Sequence, residues 1–189
     1  MLGLVFAVAL LSGTAGQHDT VGACAWSQLP TADQEAILTA YGVSMNASMN
    51  ALYARDARLR AAGGECAQRQ DVPLLSMQAA IASHVIQLGA AESVRVSTGL
   101  GRERLDQAWT SVPAEARDCA LNNASRPFRI AGPRCRNRRA PQAFLTALGL
   151  EASNPAARAA SEQVLVYMNA KAQEQIANRL ISDMPPAPR

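Results

Sequence analysis

The sequence predicts an all-α fold: a single disulfide-stapled helical bundle with about five to seven helices of unequal length and no sheet. Three observations predict it. Apolar residues recur at spacings of three and four almost everywhere after Pro30. Aromatic residues are only 4% of a chain that is 49% hydrophobic and rich in Ala, which suits closely approaching helices better than a sandwich of aromatic and β-branched strands. The four cysteines form an even set, as two structural bridges require. At 189 residues the chain fits one domain with a core of its own.

Thr31 to Gln34 reads as a capping box that opens a short helix to about Tyr41, with Gly42 as its stop. A second helix is expected from about Ser44 to Ala62, ended by Gly63 and Gly64. On it Met45, Met49, Leu52, Tyr53 and Leu59 form one stripe, read as core in preference to a Met-lined groove. Asp71-Val72-Pro73 opens a third helix with Leu74, Met77, Ile81, Val85 and Leu88 on its apolar face. It reaches Leu88 and extends toward Val96 before Gly99-Leu100-Gly101 breaks it. Residues 102–109 and Pro113 to Leu121 carry two shorter helical patterns, and residues 122–139 read as a loop. A short helix over Pro141 to Leu148 stops at Gly149. Asn154 then caps a long helix with Pro155 in its first turn and Val164, Leu165, Met168, Ala172, Ile176, Leu180 and Met184 on its buried face.

The ends of the chain carry a signal about compartment. Met1 to Leu11 is an apolar run followed by the small, polar SGTAGQ, the pattern of a secretory signal peptide over residues 1–16, cleaved after Ala15 or Gly16. A basic n-region is missing. Two alternatives stand beside it: a membrane anchor over residues 1–18, and a lipoprotein box at Val21-Gly22-Ala23-Cys24. The expected organisation is therefore a signal peptide, a helical domain over residues 17–184 with no membrane span, and a disordered Pro-rich tail over residues 185–189. The protein is expected to be exported, periplasmic or extracellular, and its composition looks bacterial. On that view Asn46-Ala-Ser48 and Asn123-Ala-Ser125 match the glycosylation pattern by chance.

Cys24, Cys66, Cys119 and Cys135 agree with export, because structural disulfides persist in oxidising compartments. Of the three possible pairings, Cys24–Cys66 and Cys119–Cys135 are favoured, since each closes within one half of the chain. In the chain-entropy model a closed loop of about 15 residues contributes about 3 kcal/mol, and a longer loop somewhat more. No CxxC spacing exists and the only histidines are His18 and His84, so neither a metal nor a cofactor is expected.

The net charge of +3 is too small to imply a polyanion partner by itself. Lys171 is the only Lys; the other basic residues are Arg, which a GC-rich genome would also produce. They concentrate in RPFRIAGPRCRNRR, where Arg126, Arg129, Arg134, Arg136, Arg138 and Arg139 surround Phe128 and Cys135. Arg forks suit phosphate or carboxylate oxygens, so this loop is a candidate for an anionic envelope polymer. A solvated loop is the simpler reading, and nucleic acid is disfavoured for an exported chain without a recognised nucleic-acid motif.

His84 lies near the apolar face of the third helix, where a boundary or core histidine is commoner than a general base. Glu92 is too far along the same helix for direct contact. Glu65, Glu92, Glu103 and Asp106 are available as acids, and nothing in the sequence selects among them. No GxSxG, HExxH, P-loop, GxGxxG or CxxCH pattern occurs.

Both Trp residues sit in one repeated stretch, AWSQLP around Trp26 and AWTSVP around Trp109. In each, Leu29 or Val112 can staple the opening of a helix, with Pro30 or Pro113 in or beside its first turn. Ile37 and Leu38 correspond to Ala120 and Leu121. The likeness fades beyond about fourteen residues, so it marks a repeated helix-opening unit, with each Trp a plug in the end of an Ala-rich bundle. Exposed Trp side chains that stack on sugars are the alternative.

These features favour a non-enzymatic binding or scaffolding role in the cell envelope, with an envelope protein or anionic envelope polymer as partner. A polyanion binder acting through the Arg loop is the second reading. A cell-wall hydrolase whose acids meet only in the fold is the third.

Overall fold

The computed structural model describes residues 20–69, 71–130, 139–150 and 155–183. Among them are nine α-helices and a 3-10 turn at Arg126–Phe128, and no strand. The helices are α1 (Val21–Ser27), α2 (Thr31–Val43), α3 (Met45–Tyr53), α4 (Asp56–Ala67), α5 (Leu74–Thr98), α6 (Arg102–Ser111), α7 (Ala114–Ala124), α8 (Arg139–Ala147) and α9 (Pro155–Ser182). The all-α expectation holds, with more helices than the five to seven read from periodicity.

The long helices α5 and α9 pack along each other as the axis of the bundle. Gln87 reaches Glu174 while Ala80 shares a cluster with Ala177 and Ile181, so the two run antiparallel. Small residues allow close approach here. Around this axis the core divides in two. One cluster gathers Trp26, Ile37, Leu52, Leu59, Met77, Ile81 and Val85. The other gathers Trp109, Leu105, Val112, Phe144, Val164 and Tyr167. Helix α5 is apolar and long enough to cross a membrane, but 67% of its most apolar window is buried inside the bundle. Its hydropathy therefore serves the core.

Several boundaries differ from the sequence reading, each for a physical reason. Helix α1 is not among the helices read from periodicity, and it overlaps the alternative lipoprotein box at Val21 to Cys24. Cys24 is joined to Cys66, with Cα atoms 5.8 Å apart, so its thiol is not open to lipidation. Pro30, without a side-chain cap, precedes α2 in place of the expected capping box. Gln34 instead donates to the carbonyls of Trp26 and Leu29 at 2.9 and 3.0 Å, which fixes the α1–α2 corner. Gly42 lies inside α2 and does not stop it.

The expected helix over residues 44–62 is two helices. The chain turns at Ala54 and Arg55, where Arg55 reaches Asp33 at 2.7 Å and directs α4 back toward α1. Gly63 and Gly64 lie within α4. A Cβ on Gly63 would sit 2.3 Å from Met77 Sδ, so that glycine serves close packing rather than termination. On α3 and α4 only Leu52 and Leu59 of the expected stripe are fully buried; Met45 and Tyr53 are exposed. Helix α5 ends where expected, with Gly99 at φ 77° accepting the left-handed conformation that a side chain would resist.

Cys119 is also disulfide-bonded; Cys135 lies outside the described residues. So do Arg134, Arg136 and Arg138, the Asn154 cap, Met184, the signal-peptide residues and the tail. Arg126 and Arg129 are exposed, and Arg139 lies 3.8 Å from Glu115 on the surface.

Candidate functional site

The site is built on two helical stripes that face each other. On α5, Ala80, His84 and Gln87 follow a four-then-three spacing. On α9, Tyr167, Lys171, Glu174 and Asn178 are spaced four, three and four, which places them on one face. The antiparallel packing brings the centres of the two stripes together. Glu174, only 2% exposed, meets His84 at 4% and Gln87 at 0%.

The Glu174 carboxylate is fully occupied. Its Oε2 accepts from Gln87 Nε2 at 2.8 Å. Its Oε1 accepts from Thr20 Oγ1 at 2.8 Å and lies 3.3 Å from His84 Nδ1. Burial by itself raises the Glu174 pKa. The hydrogen bonds from His84, Gln87 and Thr20 outweigh it and hold the carboxyl below its ordinary range. An ionised carboxylate only accepts, so Nδ1 of His84 carries the hydrogen. Nε2 has no hydrogen-bond partner among the described residues.

Helix α1 closes this arrangement. Seven residues are too few for a stable isolated helix, so its contacts must hold it. Thr20 caps α1, accepting from Ala23 N at 3.1 Å with the same hydroxyl that donates to Glu174. Val21 N donates to Asn178 Oδ1 at 3.0 Å. Gly22 is needed because a Cβ there would stand 2.4 Å from the Ala80 carbonyl oxygen and 2.9 Å from Glu174 Oε1. The Cys24–Cys66 bridge then ties α1 to α4.

Beside the buried pair lies a cavity of about 400 Å³ between α1, α5, α6 and α9. His84 and Glu174 line it together with Arg102, Asp106 and Lys171, and Trp26 and Leu88 give it an apolar wall. Asp106 anchors the charged wall. Its Oδ1 accepts from Lys171 Nζ at 2.6 Å and from the Tyr167 hydroxyl at 2.8 Å, and its Oδ2 lies 3.8 Å from Arg102 Nε. Tyr167 is itself buried, and burial first, then Asp106, pushes its phenol well above the ordinary range. It therefore stays a neutral donor.

A larger, more open groove of about 590 Å³ runs past Trp109, with Arg117, Asp118, Arg179 and Asp183 on its walls. Its charges alternate in sign, and among the described residues no buried carboxylate or imidazole lines it.

The residues singled out from sequence fall unevenly around these features. Of the acids left open, the fold brings Asp106 to the cavity, whereas exposed Glu92 pairs with Arg95 on its own helix. Glu174, Gln87 and Lys171 were not singled out. The signal available for them was a polar stripe at helical spacing on α9, continued by a His and a Gln on α5. Trp26 is 8% exposed, bordering the cavity, and Trp109 2%, so neither indole stands out from the surface as a platform for sugar stacking. Among the described residues, no group of three or more His, Cys, Asp or Glu side chains is placed to hold a metal.

Fold and site together define a disulfide-stapled all-α protein with a cavity floored by a buried carboxylate–imidazole pair. No family model, no curated protein and no solved structure matches the chain.

Proposed function

We propose that this is an exported, non-enzymatic binding protein of the cell envelope, and that it holds a small molecule in the cavity between α1, α5, α6 and α9. One observation carries the reading: an ionised carboxylate is kept in the protein interior by donors from two other segments, at the floor of a cavity whose outer wall is covalently fixed. Buried ionic groups seldom stabilise a fold more than apolar packing of the same volume. Retaining one beside open space suits a preorganised site. The disulfides are compatible with the oxidising compartment that export implies.

Binding is favoured over hydrolysis because the acids are already engaged. Glu174 accepts three hydrogen bonds, and Asp106 is held by Tyr167 and Lys171. The test is to purify the protein from its native envelope fraction, denature it, and identify released small molecules by mass spectrometry. Ala23→Trp, which fills the cavity, serves as the comparison. A compound released by the wild type and absent from the variant is expected. Identical small-molecule profiles from the two proteins would contradict the reading.

A further inference from the structure

We propose that the cavity takes a small monoanion with an apolar body, such as a medium-chain or aromatic carboxylate, gripped by Lys171 and Arg102 and laid against Trp26 and Leu88. This rests on the reading of the chain as a small-molecule binder and adds the chemical class of the ligand.

Unspent hydrogen-bond donors carry the inference. Both oxygens of Glu174 and Oδ1 of Asp106 are already supplied from within. Glu174 takes Thr20, His84 and Gln87, and Asp106 Oδ1 takes both Lys171 and Tyr167. Donor capacity is open at the cavity on the two cations. Lys171 Nζ carries three hydrogens and spends one on Asp106. Arg102 approaches the same carboxylate through Nε at 3.8 Å, with its side chain 37% exposed. Lys171 and Arg102 are balanced by Asp106 and Glu174 in the lining, so it is their unspent donors, not an excess of positive charge, that favour a ligand oxygen.

The remaining surface fixes the rest of the molecule. Trp26, Leu88 and Ala23 supply the apolar part of the lining. About 400 Å³ accommodates a ligand of modest size. The choice of cation fits as well. Lys171 is the only Lys in a chain with 18 basic residues, and it stands in this cavity. A compact ammonium with three rotatable donors can hold Asp106 and a ligand oxygen at once, whereas an Arg fork would close on Asp106.

That single Lys also makes the test specific. Selective 13C,15N-lysine labelling marks one side chain, Lys171, and leaves its ammonium intact. Octanoate is titrated against the labelled protein, with octanamide as the uncharged counterpart. The Lys171 Cε–H resonance is expected to shift with octanoate and stay unmoved by octanamide. By calorimetry on unlabelled protein, Lys171→Gln should weaken octanoate about tenfold or more, and Lys171→Arg less. Ala23→Trp and, independently, Leu88→Trp should abolish binding while their thermal melts stay cooperative. Equal binding of octanoate and octanamide would overturn the anionic class and leave the binding-protein reading standing. Octanoate binding that survives both Trp substitutions, or no octanoate binding to the wild type, would overturn the inference outright.

Discussion

The chain turns the same corner at Trp26 and at Trp109, with different material behind each. In both, a Trp in the last turn of a helix is followed by a buried aliphatic residue and a Pro that starts the next helix. Leu29 N donates to the Trp26 carbonyl at 3.1 Å, and Val112 N to that of Trp109 at 3.3 Å. Pro30 has φ −54° and ψ 142°, and Pro113 has −51° and 139°. Local sequence sets this backbone. Yet Trp109 sits edge-on to Phe144, which stacks on Tyr167, and its indole N–H is buried without a partner among the described residues. Trp26 instead borders the cavity, on a helix held by a disulfide and by polar contacts with α9. A repeated motif thus gives the same turn twice, and the packing behind it makes one corner part of the aromatic core and the other a wall of the cavity.

Substitutions that treat the corners alike should expose the asymmetry. Trp109→Ala is expected to cost about 3–5 kcal/mol in urea denaturation, and Trp26→Ala less, because Trp109 is the more deeply buried and packs edge-on to Phe144. Equal losses would remove the distinction. Cys24→Ser with Cys66→Ser opens a loop of 42 residues' separation, worth up to about 4 kcal/mol in the chain-entropy model. Hydrogen exchange should then show α1 amides losing protection well before those of α6 and α7.

Acid should act on the first corner. The folded-state pKa of Glu174 is depressed, so its contribution is present above the ordinary carboxylate range and is lost as pH falls through the folded value. Thermal melts of Glu174→Gln should therefore show a shallower acid limb than the wild type. The smallest effects are expected from Pro30→Ala and Pro113→Ala, each below about 1 kcal/mol and nearly equal. A large difference between them would show that the shared backbone geometry hides different strain.

The fold class was legible because it rests on local periodicity. The course of α5 from Met77 to the stop at Gly99 could be read residue by residue. Breaks that depend on distant contacts could not. The turn at Ala54 and Arg55 depends on Asp33, and Gly63 looked like a stop because its neighbour Met77 is fourteen positions away. The site was legible only in fragments. His84 and Asp106 could be named as candidates, but Glu174 on a polar stripe looks like a solvated residue until antiparallel packing sets it against α5. The same holds for Thr20, whose hydroxyl matters only once α1 lies on α9.

The most direct measurement uses each Trp alone. Trp109→Phe leaves Trp26 as the sole indole, and Trp26→Phe leaves Trp109. Trp109→Phe sacrifices no hydrogen bond, so both proteins should be available folded. With octanoate added, the emission of Trp26 is expected to shift and become shielded from acrylamide, while Trp109 emission stays constant. A response at Trp109, or a silent Trp26 under conditions where calorimetry shows binding, would contradict the division into a structural corner and a binding corner.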